Sequence, residues 1–368
     1  MTRSPHAPAT IALAGGGTGG HVYPAIAMGE ELRRRGHHVL YLGEARRLEG
    51  RVAPDRGFPF HAVPAVQYPR DGAASKVTFA RGLAQATTQA RALLSRLEVD
   101  AVLGVGGYVM APTVLAAASL GLPSAIHEAN VTPGLANRLC ARVADLVLLT
   151  YAATAERLPG RAPKEVVGCP VNPRVLEGDR DRALARYGLR GDRPVLLVVG
   201  GSLGAARINE LGEAAARAQR DWQMIFVTGP TYHAELAQKL APLPPGVALV
   251  DYEDRMADAY AAADLVLCRA GSSTLAELCA VGKPSVLVPS PNVTDNHQEA
   301  NARGLEAVGA ALVVVEQGLD VPAVVRSLGE LLRDPARLEG MGLAARGQAK
   351  LDTAARVADL VEARLLAR

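Results

Sequence analysis

Apolar runs of four to six residues alternate with segments of helical period along almost the whole chain, and this alternation predicts parallel sheets with crossover helices. In the first half, strands are expected at residues 11–14, 38–42, 60–63, 101–103, 124–127 and 146–150. Helices are expected near 24–35, 75–97, 109–120, 133–141 and 152–158. The stretch Gly168-Cys169-Pro170-Val171-Asn172-Pro173 has two prolines and no helical period, so it reads as an interdomain linker. The pattern then restarts. An apolar run at 194–199, the turn Gly200-Gly201-Ser202-Leu203-Gly204 and a helix over about 205–219 repeat, 185 residues later, the strand, glycine turn and helix around Gly15. Further strands at 224–228, 248–251, 265–268, 285–288 and 311–314 alternate with helices near 231–240, 255–262, 273–281, 296–307 and 320–333. Charged, Ala-rich segments at 335–349 and 353–367 have no strand between them, so the last helix is expected to pack back across the first domain. The expected fold is α/β, with two Rossmann-like, doubly wound parallel-sheet domains. They span residues 1–171, with a returning helix at about 352–368, and residues 172–351.

A chain of 368 residues exceeds what one core usually supports, which agrees with two domains. Residues 1–10 lack the charged, apolar and small-residue order of a signal peptide, and no apolar run approaches the ~20 residues needed to span a bilayer. A cytoplasmic protein is expected. The four cysteines, at 140, 169, 268 and 279, form no C-x-x-C pair, which suits free buried thiols rather than disulfides or a zinc site. Charge is unevenly spread: residues 1–171 carry 18 Lys/Arg against 12 Asp/Glu, and the remainder 22 against 25. Between Arg46 and Arg96 nine basic residues face three acids, so that half is suited to an anionic partner, a membrane surface or a phosphorylated ligand.

Turns at the carboxyl ends of parallel strands line the ligand crevice of such folds, and the polar chemistry of this chain gathers there. Gly15-Gly16-Gly17-Thr18-Gly19-Gly20-His21 follows the first strand. Its glycines let backbone N–H groups approach an anion, and the helix that follows offers unpaired donors and the positive end of its dipole. His21 adds a group that titrates near neutral pH, so the turn can hold both a diphosphate and a proton acceptor; tight packing is the other reading. Gly104-Val105-Gly106-Gly107-Tyr108 is a second such turn, able to share one diphosphate with the first. His127-Glu128-Ala129-Asn130 brings polar groups to the same rim; capping of the helix near Pro133 by Asn130 or Thr132 is the alternative, and both roles can hold together. In the second half, Cys268-Arg269-Ala270-Gly271-Ser272-Ser273-Thr274-Leu275-Ala276-Glu277 joins a strand to a helix. Its hydroxyls either cap that helix or help bind phosphate, and Glu277 either accepts from a vicinal diol or closes a capping box. Asp295-Asn296-His297-Gln298-Glu299-Ala300-Asn301 presents amides and carboxylates suited to sugar hydroxyls. No metal-ligand spacing, nucleophile elbow, Walker-type lysine or full G-x-G-x-x-G fingerprint is present, so no metal, cofactor or nucleic-acid partner is expected.

Taken in order, GGTGGHVYPA at 16–25, GVGGYVMAP at 104–112, HEAN at 127–130, GLANRL at 134–139, GGSLGA at 200–205, CRAGSSTLAE at 268–277 and DNHQEANA at 295–302 resemble the MurG-type N-acetylglucosaminyltransferases of bacterial peptidoglycan synthesis. The resemblance runs almost end to end. It implies the glycosyltransferase-B fold, two Rossmann-like domains facing a cleft, without a cofactor. The activity it implies is inverting transfer of N-acetylglucosamine from UDP-N-acetylglucosamine to the muramoyl 4-hydroxyl of lipid I, the undecaprenyl-diphosphate-linked acceptor, giving lipid II. By the same resemblance the acceptor diphosphate lies near Gly16, Gly17, Thr18, Gly19, Gly20, Gly106 and Gly107, with Tyr108, Asn130 and Asn137 shaping its pocket. The donor uracil lies near Tyr252 and Glu253, the ribose on Glu277, and the donor phosphates near Ser202, Arg269, Ser273 and Thr274. His297, Gln298 and Asn301 face the transferred sugar. His21 is the expected base, with Glu128 as its rival, while helix N-termini and Arg269 stabilise the departing UDP.

The chain departs from the family pattern at Ala129 and Leu203, where glutamine is common, and at Cys169-Pro170-Val171-Asn172, where the family usually reads N-P-V-R. Arg174 is the candidate replacement for the missing arginine. Because the acceptor is membrane-anchored, the resemblance also implies a peripheral protein on the cytoplasmic face of the cell membrane, touching an anionic membrane surface. Val77, Phe79 and Leu83 beside Lys76, Arg70 and Arg81 suit that contact, unless the apolar side packs on the sheet. The competing readings are a glycosyltransferase with another glycolipid acceptor, a UDP-N-acetylglucosamine epimerase, and a non-enzymatic sugar-nucleotide-binding protein.

Overall fold

The computed structural model describes residues 7–66, 73–218, 221–293 and 296–367. Arg70 and Asp295, named above, and Gln219, the expected end of a helix, lie outside them. By its internal contacts the chain divides into two compact units, Met1–Asn172 with Lys350–Arg368, and Pro173–Ala349.

The first unit contains β1 (Thr10–Ala14), α1 (Gly19–Arg34), β2 (His38–Gly43), α2 (Leu48–Asp55), β3 (Phe60–Ala62), α3 (Ala73–Arg96), β4 (Ala101–Gly104), α4 (Met110–Leu120), β5 (Ser124–Glu128), α5 (Leu135–Cys140), β6 (Leu146–Leu149) and β7 (Lys164–Val166). Its strands form one sheet in the order β3-β2-β1-β4-β5-β6-β7, with every pairing parallel. The chain runs outward in both directions from β1 and β4, so their C-terminal loops open side by side at a topological switch point. Helices cover both faces, which is why the central strands are continuous apolar runs rather than alternating ones. Ile11 and Leu13 pack with Ile26 and Leu32 on one face, while Ala12 and Val102 pack with Leu94 and Val114 on the other.

The second unit contains α6 (Arg180–Tyr187), β8 (Val195–Val199), α7 (Ala206–Arg217), β9 (Gln223–Val227), α8 (His233–Lys239), β10 (Val247–Val250), α9 (Met256–Ala262), β11 (Leu265–Cys268), α10 (Ser272–Val281), β12 (Ser285–Leu287), α11 (His297–Ala307), β13 (Ala311–Val313), α12 (Val321–Leu332) and α13 (Pro335–Arg346). The order β10-β9-β8-β11-β12-β13 is again all parallel. Here β8 and β11 occupy the switch-point places that β1 and β4 hold in the first unit, so the repeated strand and glycine turn sit in equivalent positions.

The last helix, α14 (Thr353–Val361), returns to the first unit, where Val357, Ala358 and Val361 join the cluster around Ile11 and Leu13. Arg35 fixes it there. Its Nη1 donates to Asp359 Oδ1 (2.6 Å) and Glu362 Oε2 (3.0 Å), its Nη2 to Ala355 O (3.0 Å), and its Nε to Glu31 Oε1 (2.8 Å).

Three elements depart from the sequence-based expectation by being additional. The helix α2 contains Gly50 and Pro54, the half-buried edge strand β7 has no apolar run, and α6 buries only Ala183 and Leu184. The segment expected as a helix over 152–158 is a 3-10 turn at Ala152–Arg157. The first helix begins at Gly19 rather than near Pro24. Proline is favoured in a first helical turn, but here it sits inside α1, and the glycines before it already have helical backbone. All four cysteines are free and buried.

Replacing Arg35 by alanine removes four hydrogen bonds to charged or carbonyl acceptors and should lower stability by about 2 kcal/mol in urea unfolding. An unchanged midpoint would show that α14 is held without Arg35, by its apolar packing and by the contacts of Thr353 with Val167 O and of Glu362 with His37.

Candidate active site

At the first switch point two glycine turns interlock. The Gly16 N–H donates to Gly106 O (3.2 Å). Gly107 has φ +80° and its Cα lies so close to the first turn that a Cβ would run into the Gly16 carbonyl. A Cβ on Gly106, at φ +98°, would strike the His21 ring. The first turn is also held from below. Glu49 on α2, only 1% exposed, accepts from Gly17 N–H (3.0 Å) and Glu44 N–H (3.2 Å), and the Tyr41 hydroxyl donates to Gly15 O (2.9 Å). Neither Glu49 nor Tyr41 was singled out from sequence, because their partners lie 32 and 26 residues away and nothing local marks them.

Thr18 is the N-cap of α1 but makes no side-chain cap, so Gly19 and Gly20 bring first-turn N–H groups to this turn. His21 Nδ1 lies 3.1 Å from Gly16 O and 3.4 Å from Thr18 Oγ1. A proton on Nδ1 donated to the Gly16 carbonyl makes Nε2 the basic nitrogen of the ring.

Beside this turn, Glu128 at the end of β5 organises a loop. Its Oε1 accepts from Asn130 N–H (2.9 Å) and Asn130 Nδ2 (3.1 Å), and its Oε2 accepts from Gly134 N–H (3.0 Å) and from Asn137 Nδ2. Glu128 is 2% exposed, and both of its oxygens are engaged. The N-cap of α5 is Gly134, so the capping alternative for Asn130 and Thr132 does not hold. Thr154, also unanticipated, donates to Asn130 O (3.0 Å) and ties the same loop to the 3-10 turn. His127 is fully buried, with Nε2 2.9 Å from Gly168 O, and burial lowers its pKa. Tyr108 is 38% exposed on the loop after β4.

The second unit arranges its candidate residues along the C-terminal edge of its own sheet. Ser202 and Leu203 are exposed on the turn after β8, where Gly204 packs against the Thr228 carbonyl too closely for a side chain. The helix α10 starts at Ser272 with Gly271 as N-cap and no side-chain cap, so Ser273 and Thr274 stand in an uncapped first turn. Glu277 does not close a capping box. Its Oε2 instead accepts from the buried Tyr260 hydroxyl (2.9 Å), and burial pushes its pKa up to about 7 against the opposing effect of that hydrogen bond. Arg269 donates through Nη1 to Val288 O (3.1 Å), Pro289 O (3.2 Å) and Glu316 Oε2 (2.5 Å). In the loop after β10, Tyr252 is half-buried. Glu253 is buried and accepts from Arg186 Nη1 (2.9 Å), Arg255 N–H (2.6 Å) and the Tyr187 hydroxyl. His297 and Gln298 open α11 and are half-buried, Gln298 Oε1 accepting from Ser290 N–H (2.9 Å), while Asn301 is buried. Arg174 is exposed in the 3-10 turn Pro173–Leu176. Among the described residues no group of three or more His, Cys, Asp or Glu side chains is placed to hold a metal ion.

One switch point thus carries two interlocked glycine turns, and the other an uncapped Ser/Thr-rich helix start. Comparison with known proteins gives the family. The family model described as the glycosyltransferase family 28 N-terminal domain matches residues 11–149, and that described as its C-terminal domain matches residues 195–359. The chain belongs to glycosyltransferase family 28. A Clavibacter michiganensis protein named UDP-N-acetylglucosamine--N-acetylmuramyl-(pentapeptide) pyrophosphoryl-undecaprenol N-acetylglucosamine transferase is 43% identical over 367 residues, covering 97% of this chain and 96% of that one. A Halothermothrix orenii protein of the same name is 38% identical over 351 residues, covering 92% and 95%. The crystal structure of Acinetobacter baumannii MurG superposes with a TM-score of 0.78 at 31% identity, over 97% of this chain and 100% of that one. A kitacinnamycin glycosyltransferase at 20% identity and TM-score 0.72 shares the fold. Within this family 28 chain, the two matched domains take in β1 to β6 and β8 to α14, and so contain both switch points.

The interlock predicts a difference between two glycines. Gly17→Ala and Gly107→Ala both place alanine at positive φ, costing about 1–2 kcal/mol, but only Gly107 also lacks room for a Cβ. Thermal unfolding should therefore show Gly107→Ala clearly less stable than Gly17→Ala; equal losses would refute the close approach of the two turns.

Proposed function

We propose that the chain transfers N-acetylglucosamine from UDP-N-acetylglucosamine to the muramoyl 4-hydroxyl of lipid I, with inversion at the anomeric carbon, forming lipid II for peptidoglycan. The observation that carries this reading is near-full-length similarity, at 38% and 43% identity, to proteins named for that transfer. The geometry of the two switch points supports a division of labour. The acceptor diphosphate binds at Gly16, Gly17, Thr18, Gly19, Gly20, Gly106 and Gly107, with Tyr108 beside them. The N–H groups of Gly16, Gly17 and Gly106 are spent on Gly106 O, Glu49 and Met110 Sδ and shape the two turns, so the donors to the anion are those of Thr18, Gly19, Gly20 and Gly107. His21 Nε2 takes the proton of the 4-hydroxyl as its oxygen bonds to the anomeric carbon. The bond from that carbon to the donor phosphate oxygen breaks, and UDP departs with the electron pair.

Glu128 serves as a positioning group in this reading. A carboxylate that accepts four hydrogen bonds from Asn130, Gly134 and Asn137 would have to lose some of them before it could act as a base. In the second unit the first turn of α10, with Ser273, Thr274 and Arg269, stabilises charge developing on the leaving diphosphate, helped by Ser202. Glu277 accepts from the ribose diol. Glu253 holds the loop that reads uracil, with Tyr252 alongside, since its own oxygens are taken by Arg186, Tyr187 and Arg255. His297, Gln298 and Asn301 line the place of the transferred sugar.

The acceptor's lipid makes this a peripheral protein of the cytoplasmic face of the cell membrane. No helix among the described residues is long and apolar enough to cross a membrane. Lys76, Val77 and Arg81 are exposed on α3, Val77 by 53%, whereas Leu83 packs against the core and Phe79 is half-buried. The contact therefore rests on Lys76, Val77 and Arg81. Co-sedimentation with liposomes should rise with anionic lipid content and weaken in Lys76→Glu/Arg81→Glu; binding indifferent to lipid charge would count against this surface.

The direct test is radiolabel transfer from UDP-N-acetylglucosamine to a lipid I analogue. His21→Ala should reduce turnover by about 10²-fold or more while leaving UDP affinity nearly unchanged; near-normal turnover would remove His21 as base. Because burial raises the Glu277 pKa to about 7, the acid form persists to neutrality and only the carboxylate accepts both ribose hydroxyls. UDP affinity should thus rise with pH through 7 and fall roughly tenfold per unit below it, and Glu277→Gln should bind weakly with no such dependence. A flat profile in the unaltered chain would exclude the diol contact.

A further inference from the structure

Arg269 spends a single nitrogen, Nη1, on its three partners, two carbonyls at the end of β12 and Glu316 just beyond β13. Among the described residues that leaves the Nε–Nη2 edge of the guanidinium, which has the fork geometry that matches a phosphate. Glu316 is largely buried, its side chain 18% exposed, and its second oxygen, Oε1, lies 3.8 Å from Nε of Arg207. Arg207 stands in the first turn of α7, the helix that follows the turn at Gly200–Gly204, and its Nη1 pairs with Glu210 (2.5 Å). One carboxylate therefore reaches from β13 to arginines that belong to both loops of the second switch point. With Glu210 counted, two arginines face two carboxylates, so the cluster draws an anion through the open edge of Arg269 and not through a net charge.

We propose that Glu316 is a positioning residue for the donor diphosphate, acting by holding Arg269 and Arg207 in register over the first turn of α10. The inference rests on the reading of this edge as the donor site. Two outcomes of a charge-removing substitution are physically opposed. If Glu316 merely competed with the diphosphate for Arg269, neutralising it would strengthen UDP binding. If it positions the arginine, neutralising it releases a flexible side chain that must be reordered at each binding event, and UDP binding weakens.

The test compares UDP with uridine, which lacks the diphosphate, on the full chain by titration calorimetry and ligand-observed NMR. Glu316→Gln should weaken UDP about tenfold and leave uridine unchanged, and in an Arg269→Ala background the same substitution should have little further effect. Equal losses for UDP and uridine would reduce Glu316 to a structural role and overturn the proposal. So would an unchanged UDP affinity, or an increased one. An unaltered chain that binds UDP no better than uridine would overturn the donor-site reading itself, and the proposal with it.

Discussion

Close passage of backbone over backbone is the constraint on which this molecule depends. At the switch point of the first sheet, Gly107 lies against the Gly16 carbonyl and Gly106 against the His21 ring, with no volume left for a single methyl group. The same device recurs at Gly204 and Thr228 in the second sheet. Parallel strands buried on both faces bring the loops to one edge, but only glycine lets those loops meet closely enough for N–H groups from two turns to converge on one anion. The catalytic histidine of the proposed reaction is placed by this packing, since Gly16 O fixes one ring nitrogen and Gly106 borders the other.

Most of the buried carboxylates near these edges serve as scaffolding. Glu49 supports the first glycine turn, Glu128 draws Asn130, Gly134 and Asn137 together, and Glu253 ties its loop to α6. Each replaces water with fixed donors and so holds an irregular loop rigid at a site where flexibility would cost catalysis. Glu277 is different. Among the described residues its donor is the Tyr260 hydroxyl, on Oε2, and burial holds its pKa close to neutrality. In the proposed reaction this contrast between saturated and unsaturated carboxylates divides the supporting acids from the one assigned to the ribose more sharply than their positions in the sequence do.

The sheet architecture was legible in the chain because β1, β4, β8 and β11 are apolar at nearly every position, as strands covered on both faces must be. The glycine turns were legible for the same reason that they work, since few other sequences tolerate positive φ beside a helix start. What escaped were features held by distant partners or by little burial. The edge strand β7 is half-buried and reads as ordinary polar sequence, and α2 carries a glycine and a proline that argue against a helix. Glu49 and Glu316 look like any surface acids until the fold brings Gly17 and Arg269 to them. Glu277 was expected either to close a capping box or to read a diol, and only the tertiary contact with Tyr260 removes the first possibility.

The central claim is that the two similar glycine-rich edges have different ligands, the first unit the acceptor and the second the donor. Hydrogen exchange on the full chain, with and without saturating UDP, addresses it most directly. The account predicts slowed exchange in the loops at 200–205, 252–255 and 269–277, with the turns at 15–21 and 104–108 unaffected. Protection of the Gly15–Gly20 amides by UDP, with no change at 269–277, would contradict it.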